Sequence, residues 1–459
     1  MSRFPDGPSR RPYVHVLGLA ALVGLGGGLV ASLVHTVLER ALHAVWEVAV
    51  PSLLGEGSTT PALFAVPMAA ALVVGGVIHR WGSPGEIAAV VDDIHLRHGR
   101  LDVRATPAMA LTSFATILGG GSLGPEAPLV QIIGSFSSAL ADRLRLRDEE
   151  VRTLTLSGMS AALAAFFGSP LGGALFALEI PHRRGLEYFE ALLPATVSAT
   201  VSHFVFARLV GEWGSPLALS GVPRIDLVGL VVAIGLGLVG ALVGAVFQRV
   251  VHGTGHLLER LGRRPILRAC LGALAIGAIA APFAPPFPVM PFFFGEQQIP
   301  ALLGAPRALL AMHDAPTVVG LLLLLAVAKM LAIAMTMHAG FRGGFIFPLF
   351  FVGGAVGVAI ASASGGLVHP TLAALCTMAA VNVAITKTPL GTAMVVAGFG
   401  APALLPFVLA SSLVGFAAST RVAVIRTQRG RSPLVDRLAP ELSGDGEGET
   451  LPPATPSGA

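Results

Sequence analysis

Two stretches decide how this chain folds: "GPEAPLVQIIG", Gly124 to Gly134, and "GFIFPLFFVGG", Gly344 to Gly354. Gly124 and Gly344, Pro128 and Pro348, Leu129 and Leu349, and Gly134 and Gly354 coincide in register. Downstream of the first lies "SPLGGA", Ser169 to Ala174, and downstream of the second "TPLGTA", Thr388 to Ala393. The proline spacing is 42 residues in one copy (Pro128 to Pro170) and 41 in the other (Pro348 to Pro389). Pro-Leu also occurs at Pro216 and Pro433, so the repeat rests on matched spacing and flanks. It divides the chain into two halves, about 13–210 and 225–430, as in transporters built from internal repeats, often of inverted topology.

The composition around the repeat is that of a membrane protein. Of 459 residues, 54% are hydrophobic and 12% charged, about half the charge of a usual soluble domain. Mean hydropathy is +0.77. Apolar runs such as Val14–Leu38, Leu227–Phe247 and Val318–Met335 approach or exceed the roughly 20 residues that cross a bilayer. The expected fold is all-α: a polytopic membrane protein with two inverted-repeat halves of tilted and broken helices.

Lys329 and Lys387 are the only lysines among 30 basic residues. Arginines crowd both ends: Arg3, Arg10 and Arg11, then Arg421, Arg426, Arg429, Arg431 and Arg437. The positive-inside tendency places both tails in the cytoplasm. This topology accounts for the charge without nucleic acid as a partner. The basic start runs straight into apolar sequence, which suits a retained first helix. Residues 1–12 read as a cytoplasmic tail, 13–430 as one transmembrane domain, and 431–459 as a polar, disordered tail. Cys270 and Cys376 stand in apolar segments, which suits packing rather than a disulfide.

Each repeat proline is followed by an apolar run. Proline fits the first turn of a helix, where its missing N–H costs nothing. "PLGGALFALE" gives about 15 Å of helix, half a bilayer. The reading is of broken or re-entrant helices whose N-termini lie inside the membrane. Such ends offer free N–H groups and partial positive charge. Several converging make an anion site, and adjacent glycines let an ion approach the backbone. One such cluster alone would read as an ordinary kink or loop; four in a duplicated pattern point to the site.

Glu126 aligns with Ile346, so the break itself does not require a carboxylate. A charge at membrane depth is costly and usually functional. Beside an anion site it can act as a tethered anion, blocking the path until displaced or protonated. The alternative is a helix-start glutamate in a polar loop, stabilised by the dipole.

"GPEAPLVQIIG" resembles the G-[RK]-E-G-P-x-V-Q motif of the CLC family of chloride channels and proton-coupled chloride exchangers. "GFRGGFIFP" is similar to the family's G-G-x-F-x-P segment, and "GSPGEI", Gly82 to Ile87, to a shortened G-S-G-I-P-E-I. "FFGSPLGGALFALE" and "KTPLGTAMVV" match further family segments. The resemblance covers most of residues 13–425. It implies that Glu126 is the gating glutamate and Ser83 the central anion-coordinating serine. The amides of Phe345 and Ile346 would hold the central anion, and backbone around Gly124, Pro125 and Ala127 would line an outer site. Glu179 matches an intracellular-side carboxylate, a possible proton or ion entrance. A homodimer with a pore in each subunit is implied, with chloride or a similar small anion as substrate, the lipid bilayer as surroundings, and no cofactor or metal.

Three departures stand out. Neither tyrosine, Tyr13 nor Tyr188, falls in the last helix, where the family has an inner tyrosine ligand. Exchangers commonly carry a carboxylate where this chain has Ile180. The Ser83 motif is altered. The second favours passive or weakly proton-coupled conduction, with strict chloride/proton exchange, or carriage of nitrate or fluoride, as alternatives.

Other constellations carry less. "GGSLG", Gly120 to Gly124, fits G-x-S-x-G, but a nucleophile elbow needs a strand-to-helix turn. An intramembrane serine protease would need a histidine partner that no spacing singles out. His252 and His256 could share a helix face but lack a metalloprotease carboxylate. Gly240 and Gly244 form a G-x-x-x-G pattern that could pack helices, though glycine abundance alone could produce it. A membrane protein that binds without transporting is the remaining class.

Overall fold

The long apolar runs form helices, and the glycine-rich loops at 119–125 and 340–345 interrupt them. In the computed structural model, residues 13–55, 59–85, 87–184, 189–211, 226–259, 264–285, 287–399, 402–425 and 428–430 are described. The expected tails (1–12 and 431–459) and most of the connection between the halves lie outside these residues.

Seventeen α-helices are present among the described residues. The first eight are α1 (Tyr13–Leu42), which continues through a π-helical turn (His43–Ala49) into α2 (Val50–Leu54), then α3 (Thr59–Trp81), α4 (Ile87–Leu96), α5 (Thr106–Leu118), α6 (Glu126–Arg143), α7 (Asp148–Phe167) and α8 (Pro170–Glu179). They are followed by α9 (Phe189–Val210), α10 (Leu227–Glu259), α11 (Pro265–Ala280), α12 (Ile299–Leu310), α13 (Ala315–His338), α14 (Ile346–Ala363), α15 (Pro370–Thr386), α16 (Pro389–Gly398) and α17 (Leu405–Ala418). The only strand pairing among the described residues joins His182–Arg184 to Arg429–Gly430.

Among the described residues seven helical stretches are long and apolar enough to cross a bilayer, whereas α8 and α16 are 10 residues each. Leu22, Leu25, Leu29 and Leu33 of α1 and Leu227, Val231, Leu238 and Leu242 of α10 are exposed, an apolar surface suited to lipid. Cys376 is buried and Cys270 half-buried, both as free thiols.

The duplication is visible in the packing. Helix α1 lies on α7 and α9, as α10 lies on α15 and α17. Helices α6, α7 and α8 pack in succession, as do α14, α15 and α16. The halves join where α3 meets α11 and α8 meets α16. Equivalent segments pair antiparallel at Gly124 and Gly344, as inverted halves require. Helices α6 and α14 begin at Glu126 and Ile346, two residues before the prolines expected to open them. The first three N–H groups of a helix lack intrahelical acceptors, so a proline in third position costs no bond. Pro170 and Pro389 do open α8 and α16.

The G-x-x-x-G pattern packs helices here. A Cβ at Gly240 would overlap Ala380, and one at Gly244 would overlap Ala384, so α10 lies against α15 with almost no side chain between. Gly240→Val should destabilise the protein by about 1–3 kcal/mol through overpacking. Thermal unfolding in detergent checks this: a midpoint equal to wild type would remove the packing role.

Candidate anion site

The site is built where the loops before α6 and α14 cross. Gly124 N–H donates to the Gly344 carbonyl and Gly344 N–H to the Gly124 carbonyl, both at 2.7 Å. Each half then ties down the other. Ser122 N–H donates to Thr336 Oγ1 at 3.2 Å, and Arg342 N–H donates to Thr116 Oγ1 at 3.0 Å. These are equivalent positions about 220 residues apart. Gly120 and Gly340, also equivalent, take positive φ values of 73° and 99°, a region glycine enters without steric cost. The crossed loops aim the N-termini of α6 and α14 at the same small space.

Glu126, the first residue of α6, reaches across that space. Its Oε1 accepts from Ile346 N–H at 2.8 Å and from Phe347 N–H at 3.3 Å. The residue is 2% exposed. Its Oε2 is buried and has no hydrogen-bond partner among the described residues. The carboxylate therefore occupies an anion position on the first turn of α14. The amides it uses are Ile346 and Phe347, one step along from the expected Phe345 and Ile346. Phe345 precedes the helix, and its carbonyl accepts from Leu349 N–H. The Ile346 carbonyl is held by Asn382 Nδ2 at 3.1 Å, which fixes the peptide plane. A Cβ on Gly344 would overlap Glu126 Cγ and Cδ, and one on Gly124 would overlap its carboxylate. Glycine is needed at both positions for this approach.

A cavity of about 30 Å³ adjoins the carboxylate, enough for a species the size of one water. Its lining includes Glu126, Ala127, Ile180, Arg342, Phe345 and Ile346. Phe347, whose N–H also reaches Glu126, sits edge-on to Phe166 and Phe350, at 5.0 and 5.6 Å between centroids. This apolar surround strengthens any electrostatic contact inside it.

The other expected residues fall around this centre unevenly. Pro125 has no N–H to offer and lines a separate cavity with His35, Glu39 and Phe294. Ser83 is exposed and does not line the Glu126 cavity. Its Oγ accepts from Arg342 Nη2 at 2.5 Å, and the Pro84 carbonyl accepts from Arg342 Nε at 3.0 Å. Arg342 thus links the Ser83 loop to the cavity. Ser122 is buried, in a loop between helices rather than a strand-to-helix turn.

Glu179 ends α8 and caps α16: its oxygens accept from Leu390 N–H at 3.1 Å and Gly391 N–H at 2.8 Å. It is 3% exposed. Helix α8 is capped instead by Ser169 Oγ, which accepts from Gly172 N–H at 3.3 Å. Glu179→Ala should cost about 2–4 kcal/mol, because two amides lose a charged acceptor. Glu179→Gln, which keeps one acceptor oxygen, should cost less. Equal detergent unfolding midpoints for both variants and wild type would remove the capping role.

The sequence reading did not single out Phe347, Thr116, Thr336, Asn382 or Arg342. The two threonines could have been found from the repeat offset. Contacts such as Asn382 to Ile346 leave no such trace.

Comparison with known proteins agrees with this arrangement. Residues 70–420, about three quarters of the chain, match the family described as voltage gated chloride channel. A chloride/fluoride channel protein of Pseudomonas syringae pv. tomato is 27% identical over 441 residues, covering 94% of this chain and 90% of that one. An H(+)/Cl(-) exchange transporter, ClcA, of Vibrio vulnificus is 26% identical over 401 residues, covering 82% and 80%. Among solved structures, a CLC-type fluoride/proton antiporter superposes with a TM-score of 0.76 at 21% identity, over 92% of this chain and all of that one. A slow cyanobacterial Cl-/H+ antiporter gives 0.74 at 19% identity, over 95% and 100%. With the family matched across most of its length and the same fold, this chain is a multi-pass membrane protein belonging to the voltage gated chloride channel family, the CLC family of anion transport proteins.

Proposed function

We propose that this protein carries a small halide, chloride or fluoride, across the membrane in exchange for protons. The observation that carries the reading is the Glu126 carboxylate bonded to the amides of Ile346 and Phe347. A site that binds a tethered carboxylate through backbone N–H groups can bind a free anion there once the tether swings away. Protonation at the unpartnered Oε2 would weaken the charge-assisted bonds and release the side chain. Anion entry and proton uptake then compete at one place, which is the elementary requirement for exchange.

Passive conduction is the second reading. Ile180 is 2% exposed and lines the cavity, and it cannot relay a proton. The relatives include a chloride/fluoride channel protein and an exchange transporter; the Glu126 carboxylate, where anion and proton would compete, weighs toward exchange, with the inner proton route passing through water or Glu179. The anion path has no catalytic role in this reading. We extend the family reading to a homodimer with one path per subunit and to cytoplasmic termini.

Purified protein in liposomes decides between these. A halide gradient imposed as chloride or as fluoride should drive protons uphill. Halide flux without proton movement would leave passive conduction. No flux of either halide would end the transport reading.

A further inference from the structure

The side chain of Arg342 breaks the symmetry of the crossed loops. Its backbone position is equivalent to Ser122, and the two N–H groups are held alike, by Thr116 and Thr336. The architecture therefore does not need a charge here, just as it does not need one at Glu126. Yet the arginine is 8% exposed, and a buried guanidinium is costly to desolvate unless it is well hydrogen-bonded. It donates to Ser83 Oγ, to the Pro84 carbonyl at 3.0 Å and to its neighbour's carbonyl, Phe341, at 3.1 Å. It also lines the cavity that Glu126 and Phe345 line.

We propose that Arg342 is the positioning and selectivity residue of the anion path, placing a fixed positive charge at the cavity and aiming the Ser83 hydroxyl at a halide. The inference rests on the halide-transport reading above. A serine hydroxyl has one hydrogen and two acceptor sites. Because Nη2 fills an acceptor site on Oγ, the hydroxyl hydrogen is left to point elsewhere. The guanidinium bonds the Ser83 side chain and the next carbonyl together, tethering the exposed Ser83 turn to an arginine that itself lines the cavity. The planar fork does both at once; an ammonium keeps the charge and loses the geometry. The halide leaving the amides that Glu126 covers then meets an oriented hydroxyl backed by a cation.

The test uses full-length protein in liposomes, with chloride and fluoride each varied in concentration. Arg342→Gln should raise the halide concentration for half-maximal transport by about ten-fold, as expected for losing one nearby charge at an intermediate dielectric. The maximal rate should change less than about three-fold, because binding rather than folding is altered. Arg342→Lys should fall between. Ser83→Ala should shift half-saturation as well, and the double variant should be no worse than Arg342→Gln alone, since the hydroxyl contributes only while Arg342 orients it. A merely structural arginine would lower the yield and the maximal rate and leave half-saturation and the fluoride-to-chloride preference alone; that result overturns the proposal. If Arg342→Gln does not fold, Arg342→Lys and Ser83→Ala carry the test, and wild-type half-saturation in both overturns it. If wild type moves neither halide, the transport reading fails by itself. Calorimetric titration of detergent-solubilised protein with chloride and fluoride then decides for Arg342. Weakening by the lysine or glutamine variant supports it, and no binding or unchanged binding ends it.

Discussion

Glu126→Gln in liposomes is expected to carry halide at a rate that no longer responds to pH and no longer moves protons. In the wild type, Oε1 holds two amides at the start of α14, and the bonds draw strength from the charge. A hydrogen bond to a charged group contributes about 1.5–3 kcal/mol, so losing that charge shifts the closed population by a factor of about 10–100. The sign follows directly. In the proposed gate the charged form holds the amides and blocks the anion; protons neutralise it and free them. Wild-type halide flux should therefore rise as pH falls from 7.5 to 4.5, by about ten-fold or more if Glu126 is the sole gate. Glutamine, neutral at both ends of this range, should transport at a constant rate. A steep pH response surviving in the glutamine variant would remove Glu126 from the gate, whatever its position.

Gly344→Ala should reproduce much of that phenotype with the glutamate intact. The added methyl would fall on Glu126 Cγ and Cδ, so the side chain must leave the amides of Ile346 and Phe347 or the Gly124–Gly344 pairing must open. Overpacking of this kind costs about 1–3 kcal/mol, comparable to one of the two charge-assisted bonds at about 1.5–3 kcal/mol each. The expected result is raised halide flux at neutral pH and a flattened pH profile. Gly343→Ala is the comparison: its methyl would meet Leu123 and the Gly124 carbonyl rather than Glu126, so it loads the loop pairing without touching the carboxylate and should flatten the pH profile less than Gly344→Ala. Two alanine variants with the same pH response would mean that the glycines serve only the loop crossing.

The sequence made the scaffold legible because the fold is duplicated. The match of Gly124, Pro128 and Gly134 with Gly344, Pro348 and Gly354 fixed the offset that the crossed loops and their threonine ties obey. Glu126 was legible as a charge with no repeat counterpart. By the same logic Arg342 stood opposite Ser122, but in a glycine-rich loop it read as part of a motif. Its partner Ser83 lies 259 positions away, and no local pattern connects them. Glu179 was singled out through the family resemblance, yet its bonding to Leu390 and Gly391 arises only when α8 and α16 cross. Helix starts were off by two residues at Pro128 and Pro348 because a third-position proline is as harmless as a first. Pro125 was grouped with its neighbours as an anion ligand by adjacency, though its own chemistry denies it a donor.

The mutual pairing of Gly124 and Gly344 limits how this protein can work as a machine. Two short bonds at the midpoint, reinforced by a threonine from each side, act as a rivet through both halves. Swinging one half against the other, as rocking carriers do, would shear that rivet in every cycle. The proposed swing of one carboxylate would leave it whole, so a working stroke of that kind is measured in side-chain torsions, with the scaffold around it still while ions pass.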